Sequence, residues 1–122
     1  MLLKFVYAAN ILVAGWIGIS SLFFPKNAVQ SVFSGAYEVH PSVQLVGALW
    51  LSIALCSLLG LFRPLVFTPV LVIQLIYKSL WLLIVALPAV VQGQNFPKPM
   101  AIFFLIWVLV LPWVIPWKSW WG

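Results

Sequence analysis

Four stretches of this chain, Phe5–Phe24, Val43–Phe62, Leu65–Val91 and Met100–Trp117, are nearly pure hydrocarbon. Each comes close to or exceeds the ~20 residues that a helix needs to cross a hydrocarbon core of ~30 Å. In lipid every backbone N–H and C=O must be bonded within the protein, so such segments are expected to be helices. They use up most of the 122 residues and leave no room for a soluble catalytic domain. The expected fold is therefore all-α: one domain over residues 1–122, a membrane bundle of four transmembrane helices. The charged content agrees, at 6% against about 25% in soluble domains.

The net charge of +5 does not make a nucleic-acid surface. Lys4, Lys26, Arg63, Lys98 and Lys118 each stand at the end of a span, where a long basic side chain anchors a helix by reaching to the headgroups. Cys56 is the only cysteine, so neither an internal disulfide nor a cysteine-rich metal site is expected. The apolar run after Lys4 is too long for a signal-peptide core and lacks a clear small-x-small cleavage site, and it reads as a retained first helix. Four spans put both termini on one side. That side holds Lys4, Arg63 and Lys118, against Lys26 and Lys98 with Glu38 on the other. The excess of basic residues places the termini in the cytoplasm, with a bacterial inner membrane as the expected location. Trp113, Trp117, Trp120 and Trp121 around Lys118 read as an anchor at the headgroup boundary.

The connections carry their own signals. "FRP" at Phe62–Pro64 reads as a tight turn, making the second and third helices antiparallel neighbours, and Thr68-Pro69 offers an alternative start for the third helix. "PAVVQGQNFPKP" has the Pro, Gly and Asn of a helix exit. In the first outer connection, Val29, Val32, Phe33, Ala36 and Tyr37 recur at i, i+3, i+4, i+7 and i+8, which predicts a short amphipathic helix, weakened by Gly35 and ended by Pro41.

Apolar surface does not drive helices together in lipid, whereas close backbone approach and a few polar contacts do. The second helix carries Ala48, Ser52, Cys56 and Gly60 in one row, and the first carries Asn10, Ala14 and Gly18 at the same spacing. These rows are the expected tight interface. The fourth helix is bulky on every side and is expected to face lipid or a large apolar partner, with Pro112 and Pro116 loosening its inner end.

Within this apolar sequence, Lys78 is the exception. It lies about 14–20 Å along the third helix, near the midplane or into the outer half, and shares a face with Gln74 and Trp81. A charge at that depth costs at least ~2.5–3.5 kcal/mol, so it should face the bundle and have a partner. Glu38 is the only acid in the chain, and an ion pair with it, with His40 and Gln44 nearby, is the expected arrangement. The pair either pins the outer connection or marks a site at which Lys78 attracts an anionic ligand or a quinone carbonyl. Alternatively, Lys78 snorkels or meets another subunit. His40 beside Pro41 reads as a surface residue.

Small multidrug transporters need a glutamate in the first helix, and small fluoride channels need glycine-rich and Thr-Thr-Phe-Ser-type motifs; this chain has neither. "HPSVQLVGALWLSIALCSLLGLFRP", His40–Pro64, resembles the DoxX-like superfamily of small four-helix membrane proteins: Pro41, then Gly47, a long helix, and a Gly-Leu-x-Arg exit at Gly60–Arg63. "FFPKNAVQSVF" is similar to the entry of that family's outer segment, but the acid often found soon after the glycine is replaced by the Leu49-Trp50 region. The resemblance implies the fold and, for some members, a membrane subunit of a quinone-linked redox system.

No Ser/His/Asp set, metal-ligand cluster or phosphate loop is present. The leading expectation is a non-catalytic accessory or assembly subunit of a larger membrane complex, contacting other integral membrane subunits, lipids or pigments through its apolar helices. A DoxX-like component with a quinone near Lys78, Gln74 and Trp81 is the second, and a small homo-oligomeric transporter the third.

Overall fold

The computed structural model describes residues 2–33, 35 and 40–121, and among these all regular structure is helical. Helix α1 (Leu2–Phe23) is followed by a short α2 (Pro25–Ser31) and by α3 (Pro41–Phe62). Next, α4 (Pro69–Trp81), a π-helical turn (Leu82–Ala86) and α5 (Leu87–Gln92) run together as one 24-residue rod. The chain ends with α6 (Lys98–Val114) and α7 (Trp117–Trp121). Helix α1, helix α3 and the Pro69–Gln92 rod are long and apolar enough to cross a membrane; α6 is as apolar but has only 17 residues. Proline stands in the first turn of α2, α3, α4 and α6. There its missing N–H costs nothing and its fixed φ favours the helix.

Boundaries move for identifiable reasons. The third rod begins at Pro69, not Leu65, because residues 64–68 form successive turns. Thr68 precedes it without capping it; its hydroxyl donates to the Leu65 carbonyl (3.0 Å) instead. Lys78 is thus nine residues from Pro69 and fourteen from Gln92, close to the rod's midpoint and on its Pro69 side. At the far end Gly93, with φ of 68°, turns the chain out of the rod. The π-turn has a local cause: Pro88 cannot donate to the carbonyl four residues back, and the Leu87 N–H bonds to Leu82 five residues back.

The closest packing is between α1 and α3. A methyl group on Gly18 would lie 2.5 Å from the Leu51 nitrogen, and one on Gly47 would lie 2.5 Å from the Leu22 nitrogen. At the other end the Tyr7 ring lies on Gly60, 2.8 Å from where a Cβ would be, and the Tyr7 hydroxyl donates to the Pro64 carbonyl (2.7 Å). Of the small-residue row on α3, Gly60 is the member on which an α1 side chain rests. Ser52 is exposed and donates to the Ala48 carbonyl, and Cys56 is half-buried on another face. A strict i+4 row winds around a helix by ~40° per step, so Ser52 falls off the contact that Gly47 and Ala54 make with α1. On α1 the same winding is useful. Asn10, Ala14 and Gly18 are all buried, but Asn10 faces α4 while Gly18 faces α3. Ser52→Leu is accordingly expected to change thermal stability by less than ~0.5 kcal/mol, measured by thermal unfolding in detergent.

Helix α6 packs on α4 with one stripe, Met100, Phe104, Trp107, Leu111 and Val114, and leaves its other faces exposed. Its bulk is uniform, but only this stripe packs inward. Although consecutive, α3 and α4 barely touch, and an apolar groove of about 580 Å³ separates them. The turns of residues 63–68 set the two helices apart, where "FRP" alone had suggested a tight hairpin. Helix α2 lies over this assembly with Ala28, Val29, Val32 and Phe33 buried, as its apolar spacing predicts. Ala36 and Tyr37 lie outside the described residues. At the chain's end, Trp117 donates to the Pro112 carbonyl (2.8 Å) and Trp120 to the Thr68 hydroxyl (3.2 Å), holding α7 against the turns before α4. Trp113 and Trp121 are almost fully exposed and Lys118 is exposed.

Candidate functional site

Three polar side chains enter the middle of the helix assembly. Asn10 of α1 and Gln74 of α4 are 2% and 1% exposed and bond reciprocally: Asn10 Nδ2 donates to Gln74 Oε1 (3.0 Å) and Gln74 Nε2 to Asn10 Oδ1 (3.2 Å). The amides satisfy each other and tie α1 to α4, which otherwise pack little. One turn further along α4 comes Lys78, 5% exposed. Its Nζ lies 5.1 Å from the centre of the Trp107 ring, 5.3 Å from Phe104 and 5.7 Å from Tyr77. Aromatic faces attract a cation at such distances, by up to ~2 kcal/mol when desolvated, but they accept no hydrogen bond of ordinary strength. Among the described residues the ammonium has no hydrogen-bond or ion-pair partner.

These groups border a cavity of about 210 Å³, lined by α1 (Asn10, Val13, Ala14, Trp16, Ile17), α4 (Gln74, Tyr77, Lys78) and α6 (Pro99, Met100, Phe103, Phe104, Trp107), with Trp50 of α3 and Ser31 and Val32 of the α2 segment. Trp16 and Phe103 are both largely exposed and mark where the cavity reaches the surface. Its back wall is a cluster of rings. Trp50 Nε1 donates to the Tyr77 hydroxyl (2.9 Å), and Trp50 and Tyr77 each meet Phe104 edge to face, at 6.3 and 6.0 Å. The wall divides the Lys78 cavity from the apolar groove between α3 and α4, since Trp50, Tyr77, Met100 and Phe104 line both. Phe33 stacks on the outer face of Trp50 (6.1 Å).

The residues expected around Lys78 divide into two groups. Gln74 and Lys78 are together at the cavity. Trp81 is on the groove side, edge to face with Phe104 at 5.3 Å. His40 and Gln44 are elsewhere. His40 Nδ1 accepts from the Ser42 N–H (3.1 Å) and caps α3, while Gln44 Nε2 donates to the Leu22 carbonyl (3.1 Å), clasping the end of α1. Both are exposed, because the start of α3 meets the end of α1 and not the cavity. Glu38, and with it the ion pair expected with Lys78, lies outside the described residues. Sequence reasoning passed over Asn10 as a site residue, and over Trp50, Tyr77, Phe104 and Trp107. For Asn10 a signal existed: it is the one amide within the first span, at a depth that Gln74 matches in the third.

Chemically the site offers donors. Each amide has a second N–H, the Tyr77 hydroxyl keeps its proton while accepting from Trp50, and a lysine ammonium carries three N–H groups. No cluster of three or more metal-ligating side chains exists among the described residues. Comparison of the chain with protein-family models, with curated proteins and with solved structures gives no match.

Proposed function

We propose that this chain is a four-span integral membrane accessory protein, without catalytic activity of its own, that holds the acceptor-bearing head of a small membrane amphiphile at Lys78. One observation carries the reading: a lysine 5% exposed, enclosed by three rings, bordering a cavity that the remaining donors of Asn10, Gln74 and Tyr77 also reach. Charges within membranes are costly and concentrate at functional sites. In this reading α6 is the fourth span, its 17 residues making about 25 Å, and the exposed apolar faces meet lipid or the other subunits of a complex.

A second reading is a DoxX-like component of a quinone-linked redox system. It is supported by the same donor set, since a quinone carbonyl also accepts from a lysine or a tyrosine, though less strongly than an anion does. Purification of the chain from its native membrane, followed by mass spectrometry of co-purifying subunits and extractable small molecules, tests both. A stoichiometric amphiphile lost on Lys78→Met supports ligand holding, a quinone among the extracts favours the second reading, and a chain recovered alone with no bound molecule opposes both.

The orientation is also a proposal, with both termini cytoplasmic in a bacterial inner membrane. Cysteines introduced at Asn27 and at Gln94, both exposed, are expected to react with an impermeant thiol reagent from outside intact cells. Reaction only after the inner face is opened would reverse the topology.

A further inference from the structure

We infer that the ligand of the Lys78 cavity is a single-chain amphiphile with a monoanionic carboxylate head, its tail leaving between α1 and α6 past Trp16 and Phe103. The inference rests on the proposed ligand-holding function and specifies its chemistry. Among the described residues Lys78 is the only charged group lining the cavity, so one negative charge balances it. The surrounding rings interact with a cation but supply no counter-charge, and each of the Asn10 and Gln74 oxygens already accepts from the other's amide N–H. A carboxylate has only acceptors and suits an ammonium flanked by amide N–H groups, whereas a hydroxyl head accepts more weakly and brings no charge to balance the ammonium. The size agrees, since 210 Å³ is about seven times the volume of one water, room for a carboxylate and a few methylenes but not for a two-chain phospholipid head. The exit follows from packing. Helices α1 and α6 flank the cavity without extensive contact, and the two largest exposed side chains on its lining are apolar and belong to these helices.

Native mass spectrometry of the purified full-length chain, titrated separately with oleic acid, oleyl alcohol and a short-tailed benzoquinone, tests this. One oleate per chain is expected, bound at least about tenfold more tightly than the alcohol, the difference that one hydrogen bond to a charged group makes. Lys78→Met should bring the acid to the affinity of the alcohol and leave the alcohol unchanged. Val13→Phe, which narrows the cavity without touching its charge, should weaken both. The comparison of acid with alcohol on the unaltered chain stands whether or not a variant folds. Equal binding of acid and alcohol overturns the inference. So does a quinone bound more tightly than the acid, although the ligand-holding function then survives. Strong coupling between Lys78→Met and Glu38→Gln in stability, without preference for the acid, would place the counter-charge inside the chain and also overturn it. Failure of all three probes to bind overturns the inference and the function together.

Discussion

Gly18→Ala and Gly47→Ala are each expected to destabilise the folded chain by about 3 kcal/mol, at the upper end of the cost of overpacking. The added methyl meets backbone on the partner helix, not the end of a side chain that can swing aside: Leu51 nitrogen and Cα at 2.5 and 2.9 Å for Gly18, Leu22 nitrogen and Ser21 carbonyl carbon at 2.5 and 2.8 Å for Gly47. Relief requires α1 and α3 to separate, and in lipid close approach is most of what holds them. The control is three residues away. A methyl on Gly15 would sit 3.7 Å from Ala54 Cβ, an ordinary contact, so Gly15→Ala should be neutral or gain up to ~1 kcal/mol in helix propensity. Thermal unfolding in detergent distinguishes the three. Similar losses at all of them would mean that any added volume on α1 is harmful and that the glycine pair has no special role.

The second large effect is expected at Asn10 and Gln74. Replacing either by leucine leaves a buried amide with no partner and should cost about 1–2 kcal/mol, near the top of the range for polar contacts within membranes because two hydrogen bonds are lost together. Replacing both should cost less than the sum, since two leucines fill the space without an unsatisfied group. Additive losses in such a double-mutant cycle would show that the amides act separately. These variants also distinguish a structural tie from a site. If Asn10→Leu/Gln74→Leu folds but no longer retains an amphiphile, the remaining N–H groups contact ligand; if retention is unchanged, they only join helices.

That the chain is helical, with apolar runs long enough to cross a membrane, was legible because hydrocarbon runs of this length have few alternatives. The buried lysine and its glutamine were legible for the same reason, as polar residues stand out against such a background. Which small residues make an interface was not. Ala48, Ser52 and Cys56 have the right size and spacing, but the rotation of α3 is set by where Gly47 meets Gly18, and a difference of one residue is ~100° around a helix. The partners of the lysine were hidden for a related reason. Trp50, Tyr77, Phe104 and Trp107 come from three helices, and nothing local marks four aromatics out of 20 as the ones that converge. The neighbours proposed from chain proximity, His40 and Gln44, are drawn off by the end of α1.

The groove between α3 and α4 has a consequence for how the protein responds to occupancy. Helices α1 and α3 form one tightly fitted half, while the rod from Pro69 and α6 form another. The seam between the halves depends on a few cross-connections: Asn10 with Gln74, and Trp50 with Tyr77 and Phe104. Few backbone surfaces interlock there, so this seam should part before either half does when the protein is heated or diluted into harsh detergent. The Lys78 cavity lies across the seam, with walls drawn from both halves. A molecule bound in it therefore acts as mortar, and by linkage the intact assembly gains stability with the logarithm of that molecule's concentration. If the proposed ligand binds there, a membrane that runs short of it would hold a looser protein, more open to proteases. Availability of the amphiphile would then be read out as the lifetime of this chain.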